Sequence, residues 1–167
     1  MTFASSGHIP PITKELFDVI RLCVPKGSTI LELGSGEGST ANLKEFYNVI
    51  SIEHKESYIG AFNKRENYIY APLDPHTDNQ FYDMSYVEGK LPKYDALLID
   101  GPDTEARNIW FLNKIRYFDR SVHWFFDDYC GVQLKDGIDN IIQYLGVEPF
   151  ICTMGVKPFA VIMGEGK

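Results

Sequence analysis

Apolar residues at positions 12, 16, 19, 20 and 23 follow the spacing of one helical face, and Pro25 with Gly27 ends the run. A helix is therefore expected over Ile12–Cys23. The pattern then turns to short β-type stretches separated by polar, Gly- and Pro-containing punctuation: 28–33, 48–53, 67–72, 94–100 and 122–127. Between them, helical spacing predicts short helices over Thr40–Phe46 and Glu56–Asn63. Longer ones are expected over Glu105–Phe118, through Ile109, Leu112, Ile115 and Arg116, and over Gln133–Leu145. Two further β-type runs, 148–154 and 159–164, are separated only by Gly155–Pro158 and read as a hairpin. The exception to this rhythm is the long polar segment 73–93, which invites a functional reading or conceals a small helix.

Five strands alternating with helices imply an α/β fold: a mostly parallel sheet with helices on both faces, its last strand antiparallel because of the closing hairpin. In such sheets ligands bind beyond the carboxyl ends of the strands, so the residues just after each strand become the candidates for chemistry. Trp124, Phe125 and Phe126 read as core, and His123 as a structural, hydrogen-bonded side chain.

Composition narrows the picture modestly. With 167 residues, 44% hydrophobic and 23% charged, the chain fits one domain, residues 1–167, with one sizeable core. The net charge of -7 disfavours a nucleic-acid partner held by phosphate attraction. No apolar run is long enough to cross a membrane, and "MTFASSGHIPP" lacks the charged and apolar regions of a secretory signal. Cys23, Cys130 and Cys152 form no CxxC pair, so a reducing, cytoplasmic setting is the simplest expectation.

The strongest local signal is "ILELGSGEGST" (30–40). Glycines at 34, 36 and 38 allow a tight turn and close approach of a ligand to the backbone. The dinucleotide pattern GxGxxG would place its third glycine at position 39, where Ser39 stands. The segment instead resembles motif I, "(D/E)xGxGxG", of class I S-adenosylmethionine-dependent methyltransferases, reading Glu32-Leu33-Gly34-Ser35-Gly36-Glu37-Gly38. The resemblance implies a carboxylate, Glu32, reaching the methionine ammonium, and glycines that make room for methionine and ribose. It also implies a Rossmann-like, seven-stranded sheet of order 3-2-1-4-5-7-6. Glu53, at the end of the second strand and 19 residues beyond Gly34, is placed to accept both ribose hydroxyls, with His54 beside it. The same acid would serve NAD, so an NAD- or nucleotide-binding α/β enzyme stays open as an alternative, as does a non-catalytic binding module.

A longer block extends the resemblance to nearly the whole chain. Uncharacterised members of the same superfamily carry "hAPL…WYD…YDLLLIDGPPG…R". Here the pieces are Ala71-Pro72-Leu73, Phe81-Tyr82-Asp83, Tyr94-Asp95, Ile99-Asp100-Gly101-Pro102 and Arg107, with Phe81 in place of the tryptophan. The family's geometry implies that the turn Pro72–Asp74, with Leu73 and Asp74, lies against the adenine. It also implies that Asp100 and Gly101 lie beside the transferring methyl. His76 is a candidate general base, alongside the catalytic candidate Asp100; a loop histidine is equally at home in solvent. Tyr82 and Asp83 either line the acceptor pocket or fix the loop.

"HWFFDDYCG" (123–131) ends a buried-looking strand in two adjacent carboxylates. Desolvating like charges is costly without a partner. With Asp100 from the neighbouring strand, Asp127 and Asp128 complete a possible oxygen-rich site for Mg²⁺. The arrangement resembles metal-dependent O-methyltransferases, some of which carry "DDY" here. The other resolution is that hydrogen bonds alone relieve the repulsion, the acids capping or orienting neighbouring segments. The sequence as a whole reads as an S-adenosylmethionine-dependent O-methyltransferase for a small, polar acceptor. The N-terminal arm, the 73–93 loop and the loop after Cys130 are expected to select that acceptor, and a homodimer is a candidate assembly.

Overall fold

The computed structural model describes residues 12–164; the N-terminal arm lies outside the described residues. Seven strands form one sheet: β1 (Thr29–Leu33), β2 (Asn48–Glu53), β3 (Tyr68–Tyr70), β4 (Ala96–Ile99), β5 (His123–Phe126), β6 (Phe150–Cys152) and β7 (Phe159–Ile162). Their order is β3-β2-β1-β4-β5-β7-β6. The first five are parallel, and β7 runs antiparallel to both β5 and β6. Expectation and structure agree on this architecture.

Alternation along each strand divides the core into two layers. Leu31, Leu33, Leu97, Ile99, Trp124 and Phe126 pack on one face with Phe111, Ile138 and Ile141 from helices α3 (Arg107–Asn113) and α4 (Val132–Leu145). Ile30, Ala96, Leu98, Phe125 and Val161 face the other way, against Leu16 and Ile20 of helix α1 (Lys14–Cys23) and Leu43 of helix α2 (Thr40–Leu43). Phe111 is central to the first layer: its ring meets Phe118, Trp124 and Phe126 at 5.0–5.9 Å between centroids. The sequence expectation for Trp124, Phe125 and Phe126 holds, and His123 accepts a hydrogen bond at Nδ1 from the Gly164 N–H at 3.0 Å.

Several elements are shorter than the periodicity implied. The helix expected over Glu56–Asn63 is a single 3₁₀ turn, Glu56–Tyr58, because Gly60 adopts a left-handed backbone (φ +84) that breaks any continuation. The helix expected over Glu105–Phe118 begins at Arg107, and after Asn113 passes into a 3₁₀ turn at Ile115–Tyr117. The long segment 73–93 holds two 3₁₀ turns, Pro75–Thr77 and Met84–Tyr86, each capped by an aspartate, Asp74 and Asp83. An isolated bridge between Leu73 and Tyr82 closes that loop. It buries Phe81 and Tyr82 in the first core layer.

Candidate functional site

Glu32 sits at the foot of the glycine turn and is fully buried. Its strand neighbour in register is Ser51, whose hydroxyl donates to Oε2 at 2.7 Å. Thr40 donates to the same oxygen at 2.7 Å and accepts from the Gly36 N–H at 2.9 Å, tying the carboxylate to the turn. Oε1 has no hydrogen-bond partner among the described residues. Burial pushes the Glu32 carboxyl up to about 7, against the downward pull of the neighbouring hydroxyls.

This raised value has a consequence for stability. Between the usual glutamate value of 4.5 and about 7, the unfolded chain releases a proton that the folded one keeps, so wild-type stability falls as pH rises through that window. Each pH unit corresponds to about 1.4 kcal/mol, so the change amounts to roughly 3 kcal/mol. Glu32→Gln removes it: the stability of the variant relative to wild type should climb from pH 4.5 to 7 and level off above. Urea denaturation at about pH 4 and about pH 8, on either side of that window, checks this, and a pH-independent difference between the two proteins would refute it.

At the end of β2, Glu53 is almost wholly buried and fully engaged. Oε2 accepts from the Ser35 N–H at 2.9 Å and its hydroxyl at 2.7 Å; Oε1 accepts from the backbone N–H groups of His54 and Lys55, both at 2.8 Å. Four donors match the four acceptor positions of a carboxylate. Burial opposes ionisation, but these hydrogen bonds prevail and hold the Glu53 carboxyl below its usual value. The residue therefore locks the turn after β1 to the turn after β2. For it to accept ribose hydroxyls, Ser35 has to give way. His54 Nδ1 lies 3.2 Å from Glu53 Oε1, and its ring is 6.1 Å from that of Tyr82.

Gly34 (φ +86) and Gly101 are in backbone contact. A Cβ built on Gly34 would meet Gly101 Cα at 2.9 Å, and one built on Gly101 would meet Gly34 Cα at 2.7 Å and Tyr82 Oη at 2.9 Å. The turns after β1 and β4 thus converge with the Tyr82 hydroxyl, which is buried without a hydrogen-bond partner among the described residues. Burial, then the negative charge of Glu53, keeps that phenol well above its usual value and protonated. Gly38 offers its carbonyl to Asn42 at 2.7 Å.

Other candidates behave differently. Asp74 is buried, but Oδ1 accepts from the His76 N–H at 2.9 Å as a cap and Oδ2 lies 3.5 Å from Lys114 Nζ. The His76 imidazole is exposed, and among the described residues it makes no hydrogen bond or ion pair.

Asp100, Asp127 and Asp128 do converge: each offers an oxygen, and these lie within 4.8 Å of one another. Because β5 ends at Phe126, the pair is not forced onto opposite faces as it would be in a continuing strand. Two cations lie among the three acids. Arg107, at the start of α3, pairs with Asp128 Oδ2; Lys157, in the β6–β7 turn, pairs with Asp127 Oδ2 and lies 3.0 Å from Asp128 Oδ1. All four partners of these pairs are buried. Burial works against Asp128, but Arg107 and Lys157 hold its carboxyl below the usual range. Burial and the charge of Asp127 push Asp100 well above it, so Asp100 keeps its proton and can donate it toward Asp127. Oδ1 of Asp127 has no hydrogen-bond partner among the described residues.

Sequence reasoning saw Arg107 only as a letter of a pattern and Lys157 only as part of a turn. The register carries the missing signal. Phe126 pairs with Ala160, so continuing the antiparallel ladder sets Asp127 opposite Phe159 and Asp128 opposite Pro158, with Lys157 one residue further on.

Unpaired polar atoms concentrate in this region. The buried side-chain atoms without a partner among the described residues are on Glu32, Ser39, His54, Tyr82, Arg107, Asn108 and Asp127. Every one belongs to the carboxyl end of a strand or the segment that follows it. Buried polar groups are ordinarily satisfied, so a cluster of exceptions marks a place where a ligand supplies partners.

Among solved structures, similar folds include fibrillarin from Aeropyrum pernix in complex with S-adenosyl-L-methionine, at 16% identity and a TM-score of 0.58 over 86% of this chain and 68% of that one. The C-terminal domain of precorrin-6Y C5,15-methyltransferase from Rhodobacter capsulatus matches at 11% and 0.56, covering 97% and 93%. An S-adenosylhomocysteine-bound methyltransferase from Podospora anserina matches at 11% and 0.58, covering 90% and 76%. This is the class I methyltransferase fold. No protein-family model matches the sequence, and no curated protein does. On this methyltransferase fold, the cluster of unpaired atoms lies at the carboxyl edge of the sheet, and an open cleft of about 270 Å³ beside it is bounded by Glu105 and Gly131–Leu134. No helix among the described residues is long and apolar enough to cross a membrane.

Proposed function

We propose that the chain is an S-adenosylmethionine-dependent methyltransferase acting on an oxygen of a small, polar acceptor. The observation that carries the reading is Glu32: a buried carboxylate with one unpartnered oxygen, wired through Thr40 to a glycine turn. Such a group attracts an ammonium and repels a pyrophosphate, which separates a sulfonium amino-acid nucleoside from a dinucleotide. The bare approach of Gly34 to Gly101 brings the turns after β1 and β4 together beside the buried Tyr82 hydroxyl. S-adenosylmethionine supplies an activated methyl on sulfur, open to in-line displacement.

The chain's own residues bind and orient. Glu32 offers its free oxygen to a cation, and Glu53 fixes the two turns that flank the site. Asp127 Oδ1, buried without a hydrogen-bond partner among the described residues, offers an acceptor position to a hydroxyl. A hydroxyl held there would donate to the carboxylate and present a lone pair, as oxygen methylation requires; a neutral amine meets the same two conditions, so the acceptor screen decides between them.

Calorimetry with adenosylhomocysteine and with NAD is the direct test. Binding of adenosylhomocysteine, weakened at least tenfold in Glu32→Ala, is the expected result. NAD binding without adenosylhomocysteine binding would favour the nucleotide-enzyme alternative and overturn the reading. Release of adenosylhomocysteine on screening hydroxyl- and amine-bearing acceptors then tests the oxygen assignment.

A further inference from the structure

We propose that Lys157 is a built-in counter-ion that takes the place of a divalent metal in the acidic cluster, making the site metal-independent. The three acids are an oxygen set that could hold such an ion. A metal of the Mg²⁺ type needs carboxylate oxygens about 2.0–2.1 Å from its centre, in near-octahedral order. Here the Lys157 ammonium already bridges Asp127 Oδ2 and Asp128 Oδ1, while Arg107 holds the second oxygen of Asp128. An entering dication would have to displace a buried ammonium and would face the Arg107 guanidinium at close range. The positive charge that three converging carboxyls require is already part of the chain.

The turn that brings Lys157 there is firmly held. Gly155 supplies a left-handed backbone (φ +98) before it. The Pro158 carbonyl after it accepts from the Tyr129 N–H at 2.9 Å, and the Tyr129 hydroxyl donates to Asp139 at 2.7 Å. The lysine is therefore aimed by both the hairpin and the segment that follows the aspartates. With its Oδ2 taken, Asp127 keeps Oδ1 as the one oxygen left for the Asp100 proton or for a ligand donor. Lys157 is thus a positioning residue: it acts through Asp127 and Asp128.

The proposal stands apart from the methyl-transfer reading, and its test needs no substrate. Mn²⁺ binding is followed by electron paramagnetic resonance in wild type, Lys157→Met, Asp127→Asn and the Lys157→Met/Asp127→Asn double variant, with folding checked by circular dichroism. Wild type is expected to show no stoichiometric site. Lys157→Met should gain one Mn²⁺ per chain, bound at least tenfold more tightly than to wild type, and the double variant should lose it. One Mn²⁺ per wild-type chain that disappears in Asp127→Asn overturns the proposal, and so does a folded Lys157→Met that gains nothing. If Lys157→Met fails to fold, the wild-type and Asp127→Asn pair still decides: a shared absence of binding supports Lys157, and a site lost with Asp127 overturns it.

Discussion

Gly34→Ala should abolish adenosylhomocysteine binding and lower stability by about 2–4 kcal/mol, combining left-handed backbone strain with overpacking. For a chain of this size, that corresponds to a fall in melting temperature on the order of 10 °C. Two effects coincide at this residue. Its φ of +86 disfavours any side chain, and the new methyl would sit 2.9 Å from the Gly101 Cα, which is backbone and cannot swing aside. Relief requires the turns after β1 and β4 to part, which displaces Glu32, Asp100 and the Tyr82 hydroxyl together. Gly27 provides the control: its φ is +87, but nothing lies within 4 Å of the point where an alanine methyl would stand. Gly27→Ala should therefore show only the backbone cost of about 1 kcal/mol and bind normally. Thermal melts and calorimetry on both variants check the pair, and equal losses in the two would refute the steric argument.

The second large effect is expected at Arg107. Arg107→Met leaves Asp128 buried with only a shared Lys157, and breaking a buried pair in this way typically costs about 3–5 kcal/mol. Removing both partners, in Arg107→Met/Asp128→Leu, leaves Lys157 with Asp127 as a balanced pair. That double variant should regain most of the loss, a non-additivity that denaturant titration measures directly. The pH dependence has a definite sign. Because the folded-state Asp128 carboxyl lies below its usual value of 3.8, its contribution is present above that value and is lost as pH falls through the lower, folded one. This acid-labile part of the stability should shrink in Arg107→Met.

The sheet was legible because its central strands are short, nearly continuous apolar runs bounded by Gly, Pro and polar residues, as befits strands covered on both faces, and the β6–β7 hairpin because its turn is short. Helix lengths were less legible: a single left-handed glycine, Gly60, ends a helix that apolar spacing alone would extend. The glycine turn and Glu32 could be read because their chemistry is local. Glu53 could be read as an acid at a strand end, but not as one whose acceptor positions are all filled, since its donors come from two separate turns. The aspartate pair announced an electrostatic problem without its solution. Lys157 is 30 residues away from Asp127 and reaches it only through the pairing of β7 with β5. His76 could be read as a titratable side chain in the long polar loop, but not as one on an exposed 3₁₀ turn, because its exposure is a tertiary feature.

The place of β7 in the sheet also bears on synthesis. Though last of the seven strands in sequence, it lies between β5 and β6. A nascent chain interrupted between residues 131 and 156 has already emitted "HWFFDD", with neither the strand that covers its edge nor the lysine that neutralises its end. During that interval β5 is a bare aromatic edge whose acids have only Arg107 as a counter-charge, the kind of surface that chaperones hold and that other chains pair with. Arrival of the hairpin closes the edge and brings Lys157 to the acids in one step.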